Sequence, residues 1–294
     1  MFILSVHSSK YAAMSIKLGK NTYGKNAVNL SKIIRHPDYH EFRQISVNVV
    51  LEGDFETAHT VGDNSKILPT DTQKNTVYAL AKEHFVSSIE SFGLYLANYF
   101  ISNNPSISQA RIEITEHGWK RMQFNGTEHP HAYCSGGDEK HTAVIVQNKN
   151  AIEVTTGIAD MLILKTTDSG FENYIKDQFT TLKETSDRIF STQCEVSWRY
   201  NSSNVLFVEL FNGIRTTLLQ TFANHQSLSV QHTLFAMGEA VLNKFAAVSE
   251  ISLKMPNKHH ILFNLEQFGM DNKNEIFIAT DEPYGFITGT IVRE

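Results

Sequence analysis

The feature that most limits the fold is an internal repeat: strand and helix signals run in one order through the first half of the chain and again through the second. In the first half, residues 45–51 alternate along a β-branched run, as a half-buried strand does. Turns at Gly53-Asp54 and Gly62-Asp63-Asn64 lead to helical patterns over 72–82 and 88–101, the second with Ile89, Phe92, Leu96 and Phe100 on one face. Asn103-Asn104-Pro105 stops it, and 109–115 and 119–124 read as strands. The second half predicts a strand at 157–166, a short helix near 185–190, a strand at 195–200, helices at 204–223 and 229–245, and strands at 248–254 and 260–265. The segments Asp63-x4-Leu68-x2-Asp71-x2-Lys74 and Asp177-x4-Leu182-x2-Thr185-x2-Arg188 align without a gap, each placing a basic residue at the opening of a helix. Together these signals imply an α+β chain built from two copies of one unit, each an antiparallel sheet with helices on one face. The expected division is an N-terminal extension at 1–17 and units at 18–150 and 151–294. A sheet covered on one face needs a partner for the other, so the pattern also predicts an oligomer.

Hydrophobic residues make up 41% of the chain, enough for a core of this size. The net charge of -5, with no clustered Lys/Arg stripe, argues against nucleic acid as a partner. No apolar run approaches the roughly 20 residues of a membrane span. Met1-Phe2-Ile3-Leu4-Ser5-Val6 lacks the basic flank of a signal peptide, and Met14 offers an alternative start. Two cysteines, Cys134 and Cys194, favour a reducing compartment, and the terminal Ile-Val-Arg-Glu is not a peroxisomal address. The expected setting is cytoplasmic.

Polar residues placed where a strand does not need them carry the candidate chemistry. Asn257-Lys258-His259-His260 interrupts an apolar stretch, and strand alternation would turn Asn257 and His259 to one side, Lys258 and His260 to the other. Adjacent histidines on opposite faces cannot share a metal. His129-Pro130-His131 reads as loop and lacks the three or four spaced ligands of a zinc site. Ser135-Gly136-Gly137-Asp138 reads as a turn, without the strand and lysine of a phosphate loop. No nucleophile elbow is present. Taken singly, Thr70 reads as a helix N-cap, Arg188 as a surface arginine, Phe171 as core and Gln231 as a solvated helix residue; Asn257 and His259 are the exceptions.

Taken together, Tyr23-Gly24-Lys25, Gly62-Asp63-Asn64-Ser65, the run from Thr70 to Tyr78, Thr180-Thr181-Leu182-Lys183-Glu184-Thr185-x-Asp187-Arg188, Ser229-Val230-Gln231 and Pro256-Asn257-Lys258-His259 closely resemble the urate oxidase (uricase) family. The resemblance runs in order from about Leu18 to Val292. It implies two tandem tunnelling-fold (T-fold) units and a homotetramer stacked into a tunnel, with sites between subunits. It also implies a cofactor-free, metal-free oxidation in which urate, dioxygen and water give 5-hydroxyisourate and hydrogen peroxide. By matched position, Phe171 would stack on the purine, Arg188 and Gln231 would clamp it, and the Val230 backbone N–H would bind a ring carbonyl. Thr70 and the Asp71 backbone would reach the ring from a neighbouring subunit. Lys25, Thr70 and His259 would form a proton relay, and Asn257, with Thr70, would hold dioxygen or the attacking water.

The chain departs from the family pattern at Asn173-Tyr174, where many relatives have Gly-Phe, and at Ser186, often a larger residue. The departure at 173–174 is expected to alter the pocket wall and leave the stacking residue alone. The rivals are a metal-dependent pterin enzyme of the same fold, whose histidine–cysteine ligands are not apparent, and a purine-binding module without the relay.

Overall fold

Alternating, β-branched segments bury every second side chain, and that pattern produces long antiparallel strands with one covered face. The computed structural model of the chain describes residues 16–294. Most of the expected 1–17 extension, with Met14, lies outside the described residues. The first half runs β1 (Tyr23–Arg35), β2 (His40–Gly53), α1 (Glu56–Thr60), α2 (Thr70–His84), α3 (Ile89–Asn103), β3 (Ile107–Phe124) and β4 (Thr127–Asn148). The second runs β5 (Ile152–Lys165), β6 (Phe190–Tyr200), α4 (Phe207–Asn224), α5 (Val230–Lys244) and β7 (Val248–Lys254). A ribbon of β8 (His259–Leu262) and β9 (Phe277–Thr280) is inserted before β10 (Thr288–Val292). Each half thus contains two paired strands, two long helices and two more strands of the main sheet, with α1 added in the first half and the ribbon in the second.

The halves share one sheet. Its order is β1-β2-β3-β4-β5-β6-β7-β10, antiparallel at every step, and β4 pairs with β5 from Lys140↔Ala159 to Gln147↔Ile152. Instead of two separate sheets there is one eight-stranded sheet with open edges at β1 and β10.

The two halves share an element order, but the aligned segments that suggested a repeat differ in structure. Residues 63–74 form a loop and the first turn of α2, whereas 177–188 lie between β5 and β6 and contain no helix. The helix expected at 185–190 is extended chain: Thr185 pairs with Phe171 and β6 starts at Phe190. The true equivalence is between α3 and α5. Ser88 and Ser229 cap them, each side chain accepting the backbone N–H three residues on, from Ser91 and His232. Each helix also lies close on its strands through a glycine. A methyl at Gly93 would meet Ile145 of β4 at 2.4 Å, and one at Gly238 would meet Ile291 of β10 at 2.5 Å.

Ile89, Phe92, Leu96 and Phe100 are all completely buried, against strand residues such as Ile112, Ile114 and Ile145. Each such side chain contributes about 1.5–3 kcal/mol by leaving water. Trp198, Ile214, Leu218, Met237 and Ile251 fill the corresponding place in the second half. The His129-Pro130-His131 and Ser135–Asp138 segments belong to β4 and are neither loop nor free turn; the long β3–β4 hairpin absorbs their irregularity as register shifts.

Candidate active site

The expected site residues fall into two groups held by different parts of the sheet. The first surrounds the start of α2. Lys25 sits on β1 opposite Val49, immediately before a bulge where Ala27 adopts a left-handed backbone (φ 55°). The Ala27 N–H donates to Asn48 Oδ1 at 2.8 Å, which holds the bulge. Bulges at a sheet edge aim side chains away from the ladder, and this one does so next to Lys25. The helix start is pinned to the same strand: the Leu68 N–H donates to the Tyr23 hydroxyl at 2.9 Å. Buried Gln73 donates to the Leu68 carbonyl at 3.1 Å. Pro69 occupies the cap position, so Thr70 is the first helical residue and its exposed hydroxyl caps nothing. Asp71 accepts from Lys74 at 2.5 Å and from Asn75 at 3.0 Å. Lys74 chiefly, with a contribution from the charge of Lys25, holds the Asp71 carboxyl below its usual range.

The second group stands on irregular chain between β5 and β6 and on the start of α5. Phe171 is fixed by two backbone bonds with Thr185, of 2.8 and 3.2 Å. The segment before it is stitched to the approach to α5, with the Gly170 N–H donating to Ser227 O and the Ser227 N–H to Asp168 O, both at 2.8 Å. Asp187 closes the arrangement by accepting from the Thr167 hydroxyl at 2.8 Å and the Ser169 N–H at 3.2 Å. Desolvation would raise the Asp187 carboxyl, but these bonds outweigh it and the pKa lies below the usual value. Arg188 places its guanidinium carbon 5.4 Å from the centroid of the Phe171 ring, and burial lowers its pKa.

Phe171, Arg188, His259 and His260 line one cavity of about 560 Å³, with Thr185, Asp187 and residues of the β8–β9 ribbon. Here both histidines border the same space. The alternation argument assumed a wide sheet, whereas β8 has β9 as its single partner, so the cavity reaches round the ribbon. Asn257 is not on the β8 strand with His259: it bridges Thr192 at β6 and lines a second cavity of about 320 Å³ with Lys258. Lys258 pairs with Asp281 at 3.2 Å. Val230 and Gln231 lie at the first turn of α5, beside the Ser227 stitch, and do not border the larger cavity. Their amides belong to the helix end whose N–H groups have no intrahelical acceptor.

Among the described residues, the side chains of Lys25, Thr70, Arg188, Gln231 and His259 make no hydrogen bond or ion pair, although Arg199 and Arg215 find carboxylates at 2.8 and 2.5 Å. Lys25 and Thr70 stand at the β1 edge, whereas Arg188 precedes β6, five strand spacings or roughly 24 Å along the sheet. One chain therefore holds two separated groups. Sequence reading missed the residues that build them: Gln73, Asn48, Ser227 and Asp187. Gln73 holds the Leu68 carbonyl through its amide N–H while its side-chain oxygen has no partner, and no local sequence signal assigns any of the four its role.

The chain matches the family described as Uricase over residues 21–146 and 154–288. It is 40% identical over 279 residues to the uricase of Arthrobacter globiformis, covering 95% of this chain and 91% of that one. To the uricase of Danio rerio it is 37% identical over 286 residues, covering 95% and 96%. The crystal structure of the Arthrobacter globiformis uricase superposes with a TM-score of 0.91 over 96% of each chain. On both sequence and fold, this chain belongs to the uricase family.

Proposed function

We propose that the chain is a urate oxidase, converting urate, dioxygen and water to 5-hydroxyisourate and hydrogen peroxide in purine breakdown. The observation that carries the reading is Arg188: a half-buried guanidinium over an aromatic ring, facing a cavity, with no acceptor of its own among the described residues. A planar fork over an aromatic platform suits a planar anion with paired acceptors, which describes urate. Phe171 would supply the stacking surface, and Gln231 with the Val230 amide would bind the edge opposite Arg188.

The relay of Lys25, Thr70 and His259 would take a proton from the bound urate, with Asn257 and Thr70 holding dioxygen or water above the ring. Urate is readily oxidised, so the chain's task is to orient it, remove a proton and place oxygen within reach. No cofactor or metal enters this scheme. The distance along the sheet between Lys25 and Arg188 favours sites built from two subunits, as in a homotetramer of paired T-fold units divided near residue 150. The free thiols of Cys134 and Cys194 fit a cytoplasmic setting. No described helix is long and apolar enough to cross a membrane.

The test is to mix purified protein with urate and air in excess chelator, following urate absorbance, oxygen uptake and peroxide together. Loss of one urate per oxygen consumed, with peroxide formed and no effect of chelator, is expected. Urate binding without oxygen uptake would reduce the chain to a purine-binding module, and chelator-sensitive turnover would overturn the cofactor-free scheme.

A further inference from the structure

We propose that Tyr174 is a positioning residue for the substrate-stacking ring, backing Phe171 from the side opposite the cavity. The inference rests on the urate oxidase reading for the identity of the ligand. The Tyr174 ring lies 4.9 Å from that of Phe171 at an interplanar angle of 14°, a parallel stack. Phe171 borders the large cavity and Tyr174 does not, so the stacked partner does not stand between that ring and the cavity. Arg188, which does border the cavity, also lies over the Phe171 ring.

Three local features bring Tyr174 back onto a residue only three positions earlier. Asn173 adopts the left-handed conformation (φ 58°), which asparagine tolerates better than most residues and which reverses the chain. The Asn173 N–H donates to Glu184 Oε1 at 3.0 Å, and that carboxylate also pairs with Lys176 at 3.1 Å. The Tyr174 hydroxyl donates to the Leu182 carbonyl at 2.6 Å, across a loop whose neck is the Phe171–Thr185 backbone pair. The ring is thus tethered at both ends, by the turn at Asn173 and by the hydroxyl. A phenyl ring on irregular chain otherwise has torsional freedom to lose when a purine stacks on it. Tyr174 removes that freedom in advance, and preorganisation of this kind appears in affinity more than in the chemical step.

The Y174A and Y174F variants, each also combined with F171L, test this by steady-state kinetics on urate. Y174A is expected to raise KM about five- to tenfold with kcat within about twofold, the size of a lost aromatic pair. Y174F loses the hydroxyl tether but keeps the turn at Asn173 and the stack itself, and should return KM to within about twofold of the parent. In the F171L background the Y174A change should vanish, because the ring that it positions is gone. An unchanged KM in Y174A, a Y174F as impaired as Y174A, or full additivity with F171L would each overturn the proposal. Should Y174A not fold by circular dichroism, Y174L replaces it with the same criteria. If the parent protein does not oxidise urate at all, the functional reading itself fails, and the proposal fails with it.

Discussion

The two groups of site residues are built by opposite means. Around Lys25 and Thr70, regular elements do the positioning: a bulged edge strand and the first turn of α2, joined by the Tyr23–Leu68 bond. Around Phe171 and Arg188 there is almost no regular structure, and the chain is held by backbone stitches to Ser227 and Thr185 and by the Asp187 carboxylate. In the proposed scheme the first group supplies Lys25 and Thr70 of the relay from a rigid frame, while the second supplies a flat, cationic recognition surface from a loop, with His259 bordering the same cavity. A relay depends on fixed hydrogen-bond distances, while a clamp depends on shape and charge.

The largest expected effect is on the framed group. Lys25→Ala or Thr70→Ala should lower turnover about 10²-fold or more while urate still binds, the scale of a lost general base. Oxygen uptake and equilibrium binding measured on the same preparation check it; a collapse of affinity with turnover per bound urate intact would move these residues into the clamp. On the loop group, Arg188→Lys should raise KM about tenfold or more, because an ammonium cannot reproduce the bidentate fork. If KM were unchanged, Arg188 would not touch the ligand.

Mixing gives a sharper test of the separation. Lys25→Ala and Arg188→Ala subunits, each inactive alone, should recover up to about a quarter of parental activity after co-refolding if each site draws one group from each of two chains. No recovery, with hybrid assembly verified by mass, would place both groups of a site in one chain.

The smallest expected effect concerns acid. The folded-state pKa of Asp187 is depressed, so its contribution is complete above the ordinary carboxylate range and is lost as pH falls through the depressed value. Affinity for a non-oxidisable urate analogue should therefore weaken on the acid side in the parent and show less of that pH dependence in Asp187→Asn. An identical acid limb in both proteins would remove Asp187 from the support of the clamp.

Much of the fold was legible because burial has a period. The α3 face of Ile89, Phe92, Leu96 and Phe100, the strand at 45–51 and the helices near α4 and α5 all follow from spacing, and the structure puts them where that spacing requires. The short helix at 185–190 was misread because a basic residue after a hydroxyl-bearing stretch resembles a helix opening, whereas pairing with Phe171 decides its conformation. Thr70 looked like a cap because composition cannot reveal that Pro69 takes that position. The departure at Asn173-Tyr174 leaves Phe171 in place, and only the fold shows that Tyr174 packs directly on the Phe171 ring.

By itself the sequence determined the α+β class, the doubled order of elements, the family and the residue types of the candidate chemistry. Those properties depend on periodicity and on side chains quoted in place. Tertiary structure alone decided that the two halves share one sheet through β4 and β5, that Lys25 stands far along it from Arg188, and that Asn257 lines a different cavity from His259. Each of these depends on contacts between residues distant in the chain, such as Gly170 with Ser227 or Tyr23 with Leu68, and no local pattern encodes which distant partner a backbone N–H will find.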